Sequence, residues 1–279
     1  MISTRLHRAL APGLALLLAM TAGPKTALAG SIGFQTESRV SSGDGLQAEV
    51  DLTNTGDEAA SDVLLVAEAL GQVREGEVQP TIGPGKKQTW SFRLADAAPP
   101  GLHVIVLRCS YQDDNGHPFE VVSLAEAPVG PIPGPRITGN LVIGRVPARG
   151  KTKARLSLKL PAGRTGPTEV EMVMPNALRI DQPRQPVTFD RNGRASIELD
   201  VSNADLLPGT SVNVFALVHG TVGGVAQTDV IRGLATVGPA TPLLVPADYY
   251  RAALALLGVQ LLLEAWAAWR ARRSTGGAA

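Results

Sequence analysis

The sequence has little of what stabilises small exported domains and little of what enzymes use for chemistry. It contains one cysteine, Cys109, so no disulfide can form within the chain. Its four histidines include no His-Glu-x-x-His pair, and no Gly-rich phosphate loop follows a strand-like run. We therefore expect a non-enzymatic protein with no catalytic residues, no metal ligands and no cofactor. A Ser, His and Asp triad assembled across loops remains an open alternative.

Long hydrophobic runs occur only near the two ends of the chain. The first, over 9–20, follows Arg5 and Arg8 and precedes Ala27-Leu28-Ala29. This order of charge, apolar core and small residues is typical of a secretory signal peptide, and we predict residues 1–29 as the signal with cleavage after Ala29. The alternative is a retained signal anchor, although the core is short and is interrupted by Pro12-Gly13.

The second run, over 252–269, is long enough to cross a bilayer and predicts a transmembrane helix at 249–270. Aromatic residues stand near both ends of the run and arginines follow it, an arrangement that predicts a cytoplasmic tail at 271–279. These orientation markers are Tyr249, Tyr250, Trp266, Trp269, Arg270, Arg272 and Arg273. The sequence therefore predicts a single-pass protein of the cytoplasmic (inner) membrane, with the bulk of the chain periplasmic or extracellular.

Between the two runs, apolar residues alternate with polar ones and show no helical period. Leu46, Ala48, Val50 and Leu52 alternate with polar neighbours, and so do Ala195, Ile197, Leu199 and Val201. Turn sequences such as Asn115-Gly116 and Asn192-Gly193 separate these runs. Short alternating strands with frequent turns predict an all-β fold made of antiparallel sandwiches.

An internal repeat predicts two such sandwiches in tandem. Pro100-Gly101 and Pro208-Gly209 each open a strand, a Gly-containing turn follows each, and the returning strands end at Val129-Gly130-Pro131 and Val237-Gly238-Pro239. We predict an acidic immunoglobulin-like sandwich at 30–131, a Pro-rich linker at 132–135, a basic sandwich at 136–238 and a second linker at 239–248. Acidic residues outnumber basic ones in the first unit, and the balance reverses in the second.

Several of these segments resemble a known family. The segments Leu52-Thr53-Asn54-Thr55-Gly56-Asp57, Pro100-Gly101-Leu102-His103-Val104 and Tyr111-Gln112-Asp113-Asp114-Asn115-Gly116 are similar to bacterial immunoglobulin-like modules of the CARDB and NEW3 type. The hairpin from Pro208 to Val225 is similar as well. The resemblance implies seven-stranded sandwiches with a role in adhesion, spacing or complex assembly.

A basic stripe in the second unit is a candidate binding surface for an anionic ligand. Lys151, Lys153, Arg155 and Lys159 share one face of a predicted strand, and no acid occurs over 138–168. Acidic glycans, anionic lipid headgroups and acidic protein domains are the candidate partners. The alternative is a solvated outer face. Nucleic acid is not expected as a partner, because no aromatic residues interleave the stripe and the chain is predicted to be exported.

Two polar residues inside the predicted span form the second candidate site. Gln260 and Glu264 are four residues apart, so they lie on one face of the helix. Polar groups in a membrane helix commonly contact a partner helix, and Gln260 and Glu264 are candidates for such a contact. The alternative is that Glu264 reaches the headgroups or pairs with the terminal arginines.

Two further features have competing interpretations. Cys109 shares the apolar face of its strand with Ile105 and Leu107, which favours a buried thiol over a reactive one. Asp113-Asp114-Asn115-Gly116 favours a hairpin turn over a calcium loop, because the alternating ligand spacing of an EF-hand is absent.

These observations together predict an accessory or assembly subunit of a bacterial envelope complex that engages a membrane or envelope protein. The alternative function is an adhesin or a module that binds glycans or anionic surfaces. A third interpretation makes the helix a transient sorting signal, but only Leu244-Val245-Pro246-Ala247 precedes it, with no known sorting motif.

Overall fold

The computed structural model describes residues 31–43, 45–132, 134–162, 167–238 and 246–275. The predicted signal peptide and most of the second linker lie outside these residues. The described part is an all-β region of tandem sandwiches followed by one helix, as the alternating pattern predicts. Its strands in the first sandwich are β1 (Phe34–Ser41), β2 (Leu46–Asn54), β3 (Ala60–Ala69), β4 (Gln72–Glu75), β5 (Gln79–Ile82), β6 (Lys87–Ala95), β7 (Gly101–Gln112) and β8 (Pro118–Val129).

The second half of the chain supplies eight more strands and the helix α1. The elements are β9 (Thr138–Ile143), β10 (Lys151–Lys159), β11 (Thr168–Val173), β12 (Leu178–Ile180), β13 (Arg184–Val187), β14 (Arg194–Asn203), β15 (Ser211–Val222), β16 (Val225–Thr236) and α1 (Pro246–Thr275).

The first sandwich packs the sheet β1-β2-β6 against the sheet that contains β3, β7 and β8. Alternate residues of β2 and β6 point inward, and Leu46, Val50, Leu52 and Leu94 are at most 1% exposed. Trp90 closes the same core, and its indole N–H donates to the carbonyl oxygen of Glu77 at 2.9 Å.

The second sandwich packs the sheet β12-β14-β10-β9 against β13-β11-β15-β16. Its core is separate from the first and contains Leu156 and Leu158 of β10 together with Leu199 and Val201 of β14. The apolar residues that alternate along β10 and β14 in the sequence therefore form the buried face of this sheet.

The hairpins predicted from the repeat are present in both sandwiches. Every residue of β7 pairs with β8, and every residue of β15 pairs with β16. Gly223 and Gly224 both have positive φ, which the two-residue type I′ turn between β15 and β16 requires. The β7–β8 turn is longer: Gly116 alone has positive φ there, and its N–H donates to the carbonyl oxygen of Asp113. Asn115-Gly116 thus marks a type I turn closed by glycine.

The two sandwiches share a sheet. One edge of β7 pairs with β3 over 106–112, and the same edge continues into a parallel pairing of Gly101 and Leu102 with Ala226 and Gln227 of β16. This pairing joins the strands of both units into one nine-stranded sheet. The units are therefore connected by backbone hydrogen bonds as well as by the linker.

Helix α1 is longer than the predicted span of 249–270. It begins at Pro246, since proline is tolerated in the first turn of a helix, and it continues to Thr275, because Arg-Ala-Arg-Arg after Trp269 favours helix. Its 30 residues correspond to about 45 Å, close to the thickness of a bilayer with its headgroups. The segment Tyr250–Ala267 is long and apolar enough to cross a membrane.

Candidate functional site

The predicted basic stripe lies on the exposed face of β10, where acidic residues of neighbouring segments reach most of it. Lys151 pairs with Asp181 at 2.6 Å, and Lys153 pairs with Asp200 at 2.8 Å. Arg155 pairs with Glu198 at 2.8 Å. The stripe is therefore mostly a row of ion pairs, and its net positive charge at these three positions is neutralised.

The pKa shifts agree with this pairing. A hydrogen bond to Asp181 raises the pKa of Lys151, and a hydrogen bond to Asp200 raises the pKa of Lys153. The hydrogen bond from Lys153 in turn lowers the pKa of Asp200. These cations are held in place on a solvent-exposed surface, where ion pairs contribute little to stability.

Lys159, the last residue of the predicted stripe, has a different environment. Its direct cross-strand neighbour is Arg194 on β14, so two cations face one another. Among the residues that the structure describes, neither of these side chains has an ion-pair partner. The sequence alone does not show this arrangement, because it depends on the register between β10 and β14.

The second predicted site lies on the surface of α1. The Nε2 of Gln260 donates to the Oε1 of Glu264 at 3.4 Å, and both side chains are exposed. The two residues thus share one face of the helix, as their spacing predicts. They form a weak polar contact within the run 252–265, whose other residues are leucine, valine, alanine and Gly258.

Several residues predicted to mark the membrane orientation lie on the exposed surface of α1. Tyr250 is 73% exposed, and the guanidinium of Arg270 lies 5.0 Å from the ring centroid of Trp266. Such a cation–π contact suits the region where the bilayer meets water. Trp269 is also half exposed. For Tyr249, Arg272 and Arg273 the structure describes the helical backbone but not the side chains.

The residues with competing interpretations have clear positions. Cys109 is 3% exposed in the first core, and burial raises the pKa of its thiol to about 12. Asp113 caps the β7–β8 turn, since its Oδ1 accepts the N–H groups of Asn115 and His117 at 2.9 and 2.8 Å.

Within the described ranges no group of three or more His, Cys, Asp or Glu side chains is arranged to hold a metal ion.

An apolar interface between the sandwiches is the main feature that the sequence does not predict. Val104 and Val106 of β7 and Val122 of β8 pack against Phe215 and Leu217 of β15. As a result both faces of β7 are buried over 101–107, and both faces of β15 are buried over 214–218. Two unbroken apolar runs in the sequence could have indicated that these strands are covered on both faces. They are Val104-Ile105-Val106-Leu107 and Val214-Phe215-Ala216-Leu217-Val218.

Arg108 forms a polar bridge beside this apolar interface. It donates from Nε to Glu68 at 3.2 Å and from Nη1 to Glu120 at 2.9 Å. The same Nη1 donates to the carbonyl oxygen of Met174 in the second sandwich at 2.9 Å. Glu120 accepts the N–H of Asn176 at 2.7 Å with its other oxygen. The bridge thus reaches the second sandwich at two backbone positions.

A second polar cluster surrounds Glu171 on the same side of the second sandwich. Its Oε2 accepts from the Nε2 of His219 at 3.2 Å and from Arg184 at 2.6 Å. These two hydrogen bonds lower the pKa of Glu171 to about 2, with that from His219 the larger cause. The other ring nitrogen of His219 contacts the hydroxyl of Thr228 at 3.0 Å, so the ring is held between β11 and β16.

Comparisons with known proteins show no family for this chain. No protein-family model matches the chain, and no curated protein matches it. The chain is similar to the native conformation of Escherichia coli alpha-2-macroglobulin, with 10% identity over 75% of this chain and 17% of that chain and a TM-score of 0.30. It is also similar to red sea bream transglutaminase, with 13% identity over 72% of this chain and 31% of that chain and a TM-score of 0.26.

A protein of unknown function from Porphyromonas gingivalis W83 is similar at 11% identity over 73% of this chain and 99% of that chain, with a TM-score of 0.29. The chain spans less than a third of the macroglobulin and of the transglutaminase. At these TM-scores and identities the similarities support no conclusion about family or activity. Because no family model matches, the resemblance to CARDB and NEW3 modules remains a prediction.

Proposed function

We propose that this protein is a non-enzymatic, membrane-anchored subunit that holds two joined β-sandwiches outside the cytoplasmic membrane and contacts a partner membrane protein through its helix. The observation that carries the proposal is the surface of α1. None of the segment Tyr250–Ala267 is buried against the sandwiches, and Gln260 and Glu264 are exposed on it. A partner helix provides a polar contact that lipid tails cannot offer.

The chemistry of the Gln260–Glu264 pair supports a contact between helices. Their mutual hydrogen bond uses one N–H of the amide at the long distance of 3.4 Å and leaves the other polar atoms of both side chains free for a second protein. In a bilayer such atoms favour any available donor or acceptor, and an interhelical hydrogen bond contributes about 1 kcal/mol. A set of apolar contacts around this pair would supply the remaining affinity.

The joined sandwiches support a role as a rigid spacer or assembly platform. The parallel pairing of β7 with β16, the apolar interface and the Arg108 bridge connect the two units at several points. A partner that binds one sandwich would therefore be held at a fixed position relative to the other. This property suits assembly of a complex in the envelope of a bacterium.

The orientation belongs to the same proposal. Arg270, Arg272 and Arg273 follow the apolar segment, so the positive-inside rule places the C-terminus in the cytoplasm. A tag at the C-terminus should then resist protease added to spheroplasts, whereas the sandwiches should be accessible from outside. Digestion of the tag in intact spheroplasts would contradict this orientation.

The helix contact is tested with the double variant Gln260→Leu and Glu264→Leu. We expect the variant to remain in the membrane fraction and to recover several-fold less of its partner membrane protein in a detergent pull-down than the wild type. Leu262→Ala, on the opposite face of the helix, is the matched control and should leave recovery unchanged. Equal recovery by the wild type and the double variant would refute the contact.

A further inference from the structure

A cavity at one end of the second sandwich differs from the rest of its surface. It has a volume of about 960 Å³ and lies where β9, β10 and β14 meet the turn before β14. Lys159, Arg194, Ser157, Ser196, Asn140 and Phe189 are among the residues that line it. None of these residues belongs to the interface between the sandwiches, and the proposed role of α1 does not involve them.

The two cations of the cavity, Lys159 and Arg194, have no ion-pair partner among the described residues. Lys159 and Arg194 are direct cross-strand neighbours, and both are exposed. Like charges directly opposite one another destabilise a sheet, and this pair contrasts with the three neighbouring cations of β10, each of which has an acidic partner. The one carboxylate among the lining residues, Asp190, accepts the N–H groups of Asn192 and Arg194 in the turn. An anion between the two cations would remove the repulsion.

A row of neutral polar side chains lies beside the cations. Asn140, Ser157 and Ser196 are in register across β9, β10 and β14, and all three are exposed. They stand two residues along the strands from Lys159 and Arg194, hence on the same face and about 7 Å away. An amide and two hydroxyl groups can each donate and accept hydrogen bonds, which is the capability needed to bind sugar hydroxyls.

Phe189 provides an apolar wall to the same cavity. Its side chain is half-buried: it packs against the second core and also lines the cavity. The face of an aromatic ring carries negative electrostatic potential and attracts polarised C–H groups such as those of a sugar ring. A ligand that matches all three features has an acidic group, several hydroxyls and a C–H face.

We propose that this cavity binds an anionic saccharide. Lys159 and Arg194 hold its carboxylate or phosphate, Asn140, Ser157 and Ser196 bind its hydroxyls, and Phe189 contacts the ring. This inference goes beyond the proposed assembly role and does not depend on the membrane span. Loss of the helix contact would leave saccharide binding intact, and the two proposals fail separately.

The test uses the full chain in detergent micelles and polygalacturonate as the acidic polymer, with neutral dextran for comparison. We expect retardation in an affinity gel that contains polygalacturonate, weaker retardation as salt is added, and none with dextran. The double variant Lys159→Ala and Arg194→Ala should lose at least about tenfold in affinity. Lys151→Ala with Lys153→Ala removes the same number of cations from ion-paired positions and should change affinity less than about twofold.

Further outcomes separate a saccharide from other anionic ligands. Phe189→Leu keeps an apolar wall and removes the ring, and it should weaken polygalacturonate binding about threefold to tenfold while circular dichroism confirms folding. Equal losses in both double variants would mean a diffuse basic surface and would overturn the proposal. So would binding to phosphatidylglycerol vesicles without binding to polygalacturonate, an unchanged Phe189→Leu variant, or no retardation of the wild type.

Discussion

Arg108 in the first sandwich donates from Nη1 to the backbone carbonyl oxygen of Met174 in the second at 2.9 Å. The same nitrogen donates to Glu120, whose side chain is only 9% exposed and which also accepts the N–H of Asn176. The guanidinium thus compensates a nearly buried carboxylate and connects two units that are distant in sequence. Because an unpaired carboxylate is costly in such a place, the bridge makes each sandwich contribute to the stability of the other.

Arg108→Ala is expected to lower the free energy of unfolding by about 2–3 kcal/mol, since it leaves Glu120 without its cation and Met174 without its donor. Urea unfolding of the full chain in detergent, followed by circular dichroism, measures the loss. Arg93→Ala is the matched control, because Arg93 is 60% exposed and its one ion pair among the described residues is with Asp96. The control should change stability by less than about 0.5 kcal/mol, and equal effects of the two variants would contradict the bridge.

The pairing between β7 and β16 can be tested by a substitution at Gly101. Its φ is +147°, and a Cβ at this position would collide with the carbonyl oxygen of Ala226. Gly101→Ala should therefore disturb the parallel pairing and lower the thermal midpoint of the full chain by several degrees, since a loss of 1 kcal/mol corresponds to about 2–4 °C in a chain of this size.

Gly209 is the control that the internal repeat provides, because it precedes β15 as Gly101 opens β7. It also has a positive φ, +88°, but nothing lies within 4 Å of its added Cβ. Gly209→Ala thus carries the backbone strain without the collision. A midpoint for Gly101→Ala no lower than that for Gly209→Ala would show that contact with β16 does not contribute.

The sequence predicted those features that depend on local patterns. The alternation in Leu46-Gln47-Ala48-Glu49-Val50 predicted β2, the glycines predicted the turns, and the apolar run 252–269 predicted the helix. The bounds of α1 were less accurate, because polar residues at both ends continue a helix as well as apolar ones do. Local propensity has no information about where a membrane would end.

Features that depend on the register between distant strands could not be predicted. The period of two placed Lys151, Lys153 and Arg155 on one face, but only the pairing of β10 with β14 brings Glu198 and Asp200 beside them. The same pairing sets Lys159 against Arg194. The contact between Gly101 and Ala226 is also non-local. In each case strand order and register decide which residues meet, and neither follows from composition.

Cys109 is predicted to be unreactive while the protein is folded. Burial raises the pKa of its thiol to about 12, so at pH 8 only about one thiol in ten thousand is ionised. Full-length protein should resist maleimide labelling in native buffer and react fully in urea, as measured by mass spectrometry. Ser41→Cys places a second thiol on the outward face of β1, opposite Gln47 of β2, and should label rapidly without urea. Rapid native labelling of the wild type would contradict the burial.

Glu171 gives a prediction for the dependence of stability on pH. Hydrogen bonds from His219 and then Arg184 hold its folded-state pKa at about 2, below the ordinary 4.5. A depressed carboxyl pKa stabilises the folded state above the unfolded value, and the stabilisation is lost as the pH falls from about 4.5 towards 2. Because the side chain is 33% exposed, we expect this loss to be only about 1 kcal/mol.

Glu171→Gln should remove that part of the pH dependence, so that its urea midpoint falls less steeply between pH 4.5 and 2 than the wild-type midpoint does. Glu169→Gln is the control: it lies on the same strand, 3.4 Å from Arg184, but has no hydrogen bond to His219. The control should keep the wild-type slope. If both variants flatten the dependence of stability on pH equally, the positive charge of Arg184 is the main cause of the low pKa of Glu171, and the hydrogen bond from His219 is not.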